Sequence, residues 1–428
     1  MKKYFLGQLD VFSLKNLCKR KVIRFDDILP VVENVLREVK MRGDEAVREF
    51  TANFDNVSLS SFAITQKEID SACKRIPQNV QGAFKKAANN IEKFHKLQAA
   101  KRKAVQIVTG VSCFAEARPI ENVGLYIPGG TAPLPSTVLM LAIPAQLAGC
   151  KEIVLVTPPT RDGSVADIIL FAAKLCGIKQ IFKIGGAQAI AALAFGTESV
   201  PKVYKIFGPG NQYVTAAKML ISIDLNGAAI DMPAGPTEVL VIADEKARAD
   251  FVASDLLSQA EHGIDSQAII VTTSDKKADE VLGEVQRQLQ TLPRKKIAQK
   301  TFDNSFVIVA DSIDEAIDFS NRYAPEHLIL NVTNAKKYIP AITNAGSVFL
   351  GPYSCASAGD YASGTNHSLP TYGYARVYGG VSVRSFQKQV TFQEITKQGA
   401  KNLGPMVSTM ASQESLEGHR RAMQLRYK

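Results

Sequence analysis

The sequence lacks the marks of several large protein classes. Its six cysteines (Cys18, Cys73, Cys113, Cys150, Cys176 and Cys355) include no CxxC pair, which argues against both a secreted disulfide scaffold and a thiolate zinc ribbon. No stretch approaches the ~20 uninterrupted apolar residues of a membrane-spanning helix. The opening MKKYFLGQLDVFSLKNLCKR has no apolar core of signal-peptide length. The expectation is a cytoplasmic protein with free thiols and no membrane partner. Extensive disorder is equally unexpected, since 46% of residues are hydrophobic and 21% charged. A chain of 428 residues has room for two or three domains.

The net charge of +10 is unevenly spread: residues 1–110 carry 21 Lys/Arg against 12 Asp/Glu, and residues 111–428 carry 30 against 29. The basic run KLQAAKRKAV (96–105) ends a helical pattern and reads as a solvated face. Recognition aromatics, RNP-like motifs and zinc-finger spacing are all missing, so no nucleic-acid partner is expected.

What is present from about residue 120 onward is a succession of short apolar runs: VGLYI (123–127), EIVLVT (152–157), QIFKI (180–184), EVLVIAD (238–244), AIIVTT (268–273), SFVIVA (305–310), HLILNV (327–332) and SVFL (347–350). Amphipathic stretches such as 136–149 and 247–263 separate them. Strands alternating with helices predict an α/β protein with parallel sheets covered on both faces. Helical periodicity dominates from Asp26 to Phe54, from Gln66 to Lys103, and again after Gly380.

Three glycine-rich junctions join a strand to a helix: GLYIPGGTAPLPST (124–137), KIGGAQAIAALAFGT (183–197) and IFGPGNQYVTAAK (206–218). Free N–H groups at such helix starts suit anions such as a pyrophosphate. No GxGxxG fingerprint accompanies them, so each junction alone is also compatible with a purely steric role for glycine. Of five histidines, four (His262, His327, His367 and His419) fall in the last 167 residues, in polar or glycine-flanked settings; His95 fits a helix surface. In ASDLLSQAEHG, Asp255, Gln259 and His262 share one helix face. Adding Asp360 and His419 gives two imidazoles and two oxygen donors, a set that suits zinc, although spacing alone does not join positions so far apart. Glu326 and His327 are adjacent where the chain enters a strand. They are natural general bases, or equally a capped strand entry with a surface salt bridge.

Longer strings carry a family resemblance. GLYIPGGTAPLPSTVLML, IGGAQAIAALAFGTESVPKV, KIFGPGN, IDMPAGPTEVLVIAD, SDLLSQAEHG, PEHLI, AGSVFLG, SAGDYASGTNHSLPTYGYA and the terminal E-x4-H of ESLEGH occur in order over roughly nine-tenths of the chain. The sequence from about Arg24 onward resembles the histidinol dehydrogenases. The resemblance implies a zinc-dependent, NAD-linked four-electron oxidation of L-histidinol, through bound L-histidinaldehyde, to L-histidine. It implies zinc ligands at Gln259, His262, Asp360 and His419, with the substrate completing the shell. It implies His327 as base for the alcohol proton and Glu326 as base for the water that attacks the aldehyde. Substrate contacts would come from Thr237, His367 and Glu414 as well as the zinc ligands, and NAD contacts from Tyr126, Gln188 and Asn211. A homodimer is implied, with Glu414 and His419 contributed across its interface.

The chain departs from the family pattern at Thr237, where serine is usual, and at Cys355–Ala356, where Pro-Glu is common. Tyr204 stands at a commonly acidic position and Ser415 at a usual glycine. The expected architecture is two Rossmann-like sheet domains, one inserted in the other, with small helical accessory domains at both ends. The expected boundaries are an N-terminal arm over 1–23, a zinc-bearing domain over 24–125 and 238–381, an inserted NAD domain over 126–237, and a helical tail over 382–428. Two rival readings remain at this level: a metal-dependent hydrolase using the same histidines, and a polyanion-binding module using the basic N-terminal third.

Overall fold

A computed structural model describes residues 1–20, 25–98, 103–129 and 133–428. The tip of the first glycine junction (130–132), part of the basic run 96–105 and the 23/24 domain boundary lie outside the described residues. Two parallel sheets dominate. The first consists of Asn122–Tyr126, Glu152–Thr157, Gln180–Lys183, Lys205–Phe207 and Ala229–Ile230, arranged in space as third, second, first, fourth and fifth. The second repeats that order with Glu238–Ala243, Gln267–Thr272, Phe306–Val309, His327–Asn331 and Ser347–Leu350. This is the doubly wound order of nucleotide-binding α/β folds.

The eight apolar runs legible in the sequence are all strands, because a parallel strand covered on both faces needs no polar alternation. All six residues of Glu238–Ala243 are buried. Helix Pro135–Ala148 is apolar nearly all round because it is enclosed between the first sheet and helix Gln78–Lys96.

Several expectations need correction. The two long helical stretches are each broken: at Gly43, whose φ of 54° separates Phe25–Arg42 from Asp44–Asp55, and at Pro77, which separates Gln66–Arg75 from Gln78–Lys96. These four helices pack on the helices of the first sheet rather than on the second, so they form an outer layer of the nucleotide-type unit. Lys2–Phe5 is no detached arm; it extends the second sheet beside Phe306–Val309. The region after Gly380 is not wholly helical. Gln387–Ile395 pairs with Val111–Pro119, which pairs in turn with Ala104–Val108, before helices Lys397–Gln413 and Glu417–Tyr427 follow. This antiparallel sheet is largely solvent-exposed, so its strands carry no long apolar run. His95 is buried, its Nδ1 hydrogen-bonded at 2.9 Å to the Ile91 carbonyl. No helix among the described residues is long and apolar enough to cross a membrane.

Candidate active site

Ligands in open α/β sheets sit outside the carboxyl ends of the strands where the strand order reverses. In the first sheet that point lies between Asn122–Tyr126 and Lys205–Phe207. Tyr126 ends one strand. Asn211 caps helix Gln212–Ile223, its side chain accepting from Tyr213 N at 3.0 Å and Val214 N at 3.1 Å. Gln188 lies in the first turn of helix Gly186–Phe195. All three line one cavity of about 980 Å³. Gly208, at φ 122°, lets the chain cross this point; a Cβ there would collide with the Tyr126 carbonyl oxygen.

The outer helical layer closes this crevice with Val31, Val35 and Asp55, and Arg161 lines it from the loop after Glu152–Thr157. The half-buried Asp55 carboxylate accepts from Gln188 Nε2 at 3.2 Å, and burial pushes its pKa up to about 6. Gln188 Oε1 is buried without a partner. Asp55 and Arg161 carried no sequence signal, since neither belongs to a motif and Asp55 comes from the outer layer.

The second cluster lies at the amino ends of the second sheet. Thr237 immediately precedes Glu238–Ala243, and Glu326 immediately precedes His327–Asn331. Glu326 Oε2 accepts from Thr237 Oγ1 at 2.5 Å and from the Glu238 N–H at 2.8 Å. The same threonine oxygen accepts from Gln259 Nε2, so a hydrogen-bonded chain runs from Gln259 through Thr237 to Glu326. His327 Nδ1 sits 3.1 Å from the Glu238 carbonyl oxygen and 3.4 Å from Glu326 Oε2. The carbonyl can only accept, which assigns the proton to Nδ1 and leaves Nε2 as the basic nitrogen. Nε2 is buried without a hydrogen bond, 3.4 Å from Asp360 Oδ1.

Electrostatics follow from that packing. Burial disfavours protonated His327, but Glu326 and Asp360 together outweigh it and hold the ring well above the ordinary histidine value. Burial would raise the Asp360 carboxyl; His327, with His367 and His262 nearby, holds it below the usual range instead. His367, half-buried but with Nε2 enclosed and unpartnered, is depressed by burial, which Asp360 only partly offsets.

Thr237, His262, Glu326, His327, Asp360 and His367 line a cavity of about 150 Å³ that reaches Ser136, Asp231 and Gly235 on the side of the first sheet. The cluster thus faces the carboxyl ends of one sheet and the amino ends of the other. A cleft of about 360 Å³ touching Asn211, Thr237 and His262 joins it to the dinucleotide-type crevice. Asp255 shares the helix of Gln259 but does not line the cavity; burial pushes it up to about 7. Helix Ala356–Tyr361, which begins at the divergent Ala356, positions Asp360, and Gly359 lets it pack against Phe349.

Within one chain the metal-type set is incomplete. Among the described residues no three His, Cys, Asp or Glu side chains stand close enough to hold an ion. His262 and Asp360 meet at the cavity, and Gln259 reaches its edge through Thr237. Glu414 and His419 do not line it. Both are exposed on the terminal helix pair, which packs on itself and beside the antiparallel sheet. Ser415, at the usually glycine position, adopts a left-handed φ of 58°.

The family model described as histidinol dehydrogenase matches residues 18–427. The histidinol dehydrogenase of Bacteroides fragilis is 55% identical over 410 residues, covering 96% of this chain and 95% of its own length. The chloroplastic histidinol dehydrogenase of Arabidopsis thaliana is 52% identical over 429 residues, covering 100% of this chain and 92% of its own. The crystal structure of histidinol dehydrogenase from Elizabethkingia anophelis superposes with a TM-score of 0.96 at 52% identity, covering 100% of this chain and 98% of that one. A metal-dependent hydrolase finds no support among these matches, and a dinucleotide-type crevice beside the cluster has no part in such chemistry. From the sheet order, the cluster of histidines and carboxylates, and matches over nearly the whole length, the chain belongs to the histidinol dehydrogenase family.

Proposed function

We propose that this protein oxidises L-histidinol through L-histidinaldehyde to L-histidine, the last two steps of histidine biosynthesis, with zinc and two molecules of NAD. The observation that carries the reading is the adjacent pair Glu326–His327, the first held by the Thr237 hydroxyl and the Glu238 N–H and the second by the Glu238 carbonyl, beside a switch-point crevice. NAD, bound in the crevice of Tyr126, Gln188 and Asn211, serves as hydride acceptor in each half. One alcohol, one water and two NAD give one carboxylate, two NADH and three protons.

Two protons must be taken at defined places, and two bases are available. His327, its Nδ1 proton engaged by the Glu238 carbonyl, presents Nε2 to take the proton of the alcohol; a cation held by Asp360 would offset the carboxylate charge that otherwise keeps the ring protonated, freeing Nε2 to act as a base. Glu326, with Oε2 occupied by Thr237 and Glu238, presents Oε1 to take a proton from the water that attacks the aldehyde. His367 lies on the same cavity wall and, with Thr237 and Glu414 of the partner subunit, contacts the substrate. Zinc suits Gln259, His262, Asp360 and His419 of the partner subunit: the amide NH₂ of Gln259 is already engaged by Thr237, which turns its oxygen outward as a donor, and Asp360 is held ionised. Bound there, zinc would supply a Lewis-acid grip on nitrogen donors of the substrate. We further read the protein as a cytoplasmic homodimer.

Glu326→Gln tests the division of labour. Supplied directly with histidinaldehyde, this variant is expected to lose about 10²–10⁴-fold in rate, the usual worth of a general base, while oxidation of the alcohol falls far less. Unimpaired aldehyde oxidation would refute the assignment of Glu326.

A further inference from the structure

Both proposed bases depend on the backbone of one residue, Glu238. Its N–H holds Glu326 and its carbonyl holds His327. The side chain of Glu238 points away from the cavity into a buried ion pair. Arg20 grips it with two parallel bonds, Nε to Oε1 at 2.9 Å and Nη2 to Oε2 at 2.8 Å, and the two side chains are only 6% and 2% exposed. The guanidinium lies 3.4 Å from the centroid of the Tyr323 ring and donates to the Cys18 carbonyl at 2.8 Å. Glu238 Oε1 also accepts the Tyr372 N–H at 2.9 Å. Tyr372 is one of few non-glycine residues with a positive φ, 55°, and its neighbour Thr371 lines the cavity. One carboxylate therefore ties together the N-terminal segment, the entry of the strand that holds both bases, and the loop forming the opposite wall.

A buried ion pair of this kind is weak evidence for stability, because desolvation offsets most of the attraction. Fixing geometry is the use that its contacts support. We propose that Arg20 and Glu238 are a positioning pair for the bases: they touch no substrate, and they set where Glu326 and His327 point. This rests on the functional reading above, which assigns those two residues as bases.

The test compares Arg20→Ala, Arg20→Lys, Glu238→Gln and the double variant Arg20→Ala/Glu238→Gln, all as zinc-loaded full-length dimers, with rates normalised to folded protein by circular dichroism. Misplacing reacting groups by about 1 Å costs on the order of 10²-fold, so Arg20→Ala is expected to lower kcat about 10- to 100-fold. KM for NAD should stay within about twofold, since that crevice belongs to the other sheet. Arg20→Lys, which keeps the charge but not the fork, should recover part of the loss. The double variant should be no worse than the poorer single one, because the pair acts as a unit. If Arg20→Ala does not fold, Glu238→Gln carries the test, keeping its shape and an acceptor for Tyr372 while losing about fivefold or more in kcat. Unchanged kcat per folded molecule, a proportional rise in KM for NAD, or losses that simply multiply in the double variant would overturn the proposal. The parent protein in the same assay separates the two levels: if it does not oxidise histidinol, the functional reading has failed rather than the positioning pair.

Discussion

Thr237→Val is the most informative single change at the site. Valine keeps the branched outline, so packing is nearly preserved, but the hydroxyl vanishes. Two bonds go with it: the one donated to Glu326 Oε2, 2.5 Å long, and the one accepted from Gln259 Nε2. Glu326 then keeps only the Glu238 N–H as a holder of Oε2. A hydrogen bond to a charged group is worth about 1.5–3 kcal/mol, which converts to a loss of about 10- to 150-fold in the step that uses Glu326. His327 is held by the Glu238 carbonyl and not by Thr237, so the alcohol step should fall by much less. The assay is stopped-flow NADH formation, started in one series from histidinol and in another from histidinaldehyde, at saturating zinc with metal content measured. Thr237→Ser, which restores the hydroxyl, should remain within about threefold of the parent in both series. If the valine variant oxidised histidinaldehyde within about threefold of the parent, the hydrogen-bonded chain from Gln259 to Glu326 would have no part in orienting the base.

Chelation is expected to abolish turnover while NAD binding, followed by fluorescence titration, persists, because the two sites belong to different sheets; full activity in protein shown by analysis to be metal-free would remove zinc from the scheme. Mixing inactive His327→Asn with inactive His419→Asn under subunit exchange should restore activity, since each heterodimer would hold one intact site if His419 serves the partner; verified heterodimers without activity would place His419 elsewhere. Asp55 has a folded pKa of about 6, above its ordinary 3.8, so stability falls as pH rises through that window and stays lower above it. Asp55→Asn should therefore stabilise NAD-free protein by on the order of 1 kcal/mol at neutral pH, a figure discounted for the partial exposure of the group, and by little near pH ~4. Urea unfolding at both pH values checks it, and an equal effect at both would contradict the burial origin of the shift.

The sequence was most legible where burial is two-sided. Runs such as EVLVIAD and HLILNV announce strands because nothing polar interrupts them, and the glycine junctions announce turns because only glycine tolerates the crossing at Gly208. Strand Gln387–Ile395 was illegible for the opposite reason: one face meets solvent and its pattern is mixed. At the site, Glu326 and His327 declared themselves by adjacency. Joining Gln259 and His262 to Asp360 took either the family resemblance or the fold, because helix spacing stops at the end of a helix. Glu238 gave no hint, since an acidic residue opening an apolar strand reads as an ordinary solvated end, and Arg20 reads as one more charge in a basic segment. Their pairing exists only in three dimensions.

The two sheets share one strand order yet are used at opposite ends, and this bears on the timing of the proposed reaction. The second sheet has its own reversal point, between Glu238–Ala243 and His327–Asn331. At its carboxyl side the Asp244 carboxylate bridges the strands, accepting from the Thr333 N–H at 2.6 Å and the Lys246 N–H at 3.0 Å. Topology counted alone would suggest two dinucleotide sites per chain; a fixed carboxylate disfavours a pyrophosphate at the second reversal point, so the proposed scheme uses one. Both hydrides must then leave through the same door, in turn. The first spent carrier has to depart and a fresh one arrive while the half-oxidised product waits, and it can wait because what grips it belongs to the other sheet. In the proposed scheme, separating the waiting room from the exit would let one crevice serve two successive oxidations without releasing the aldehyde between them.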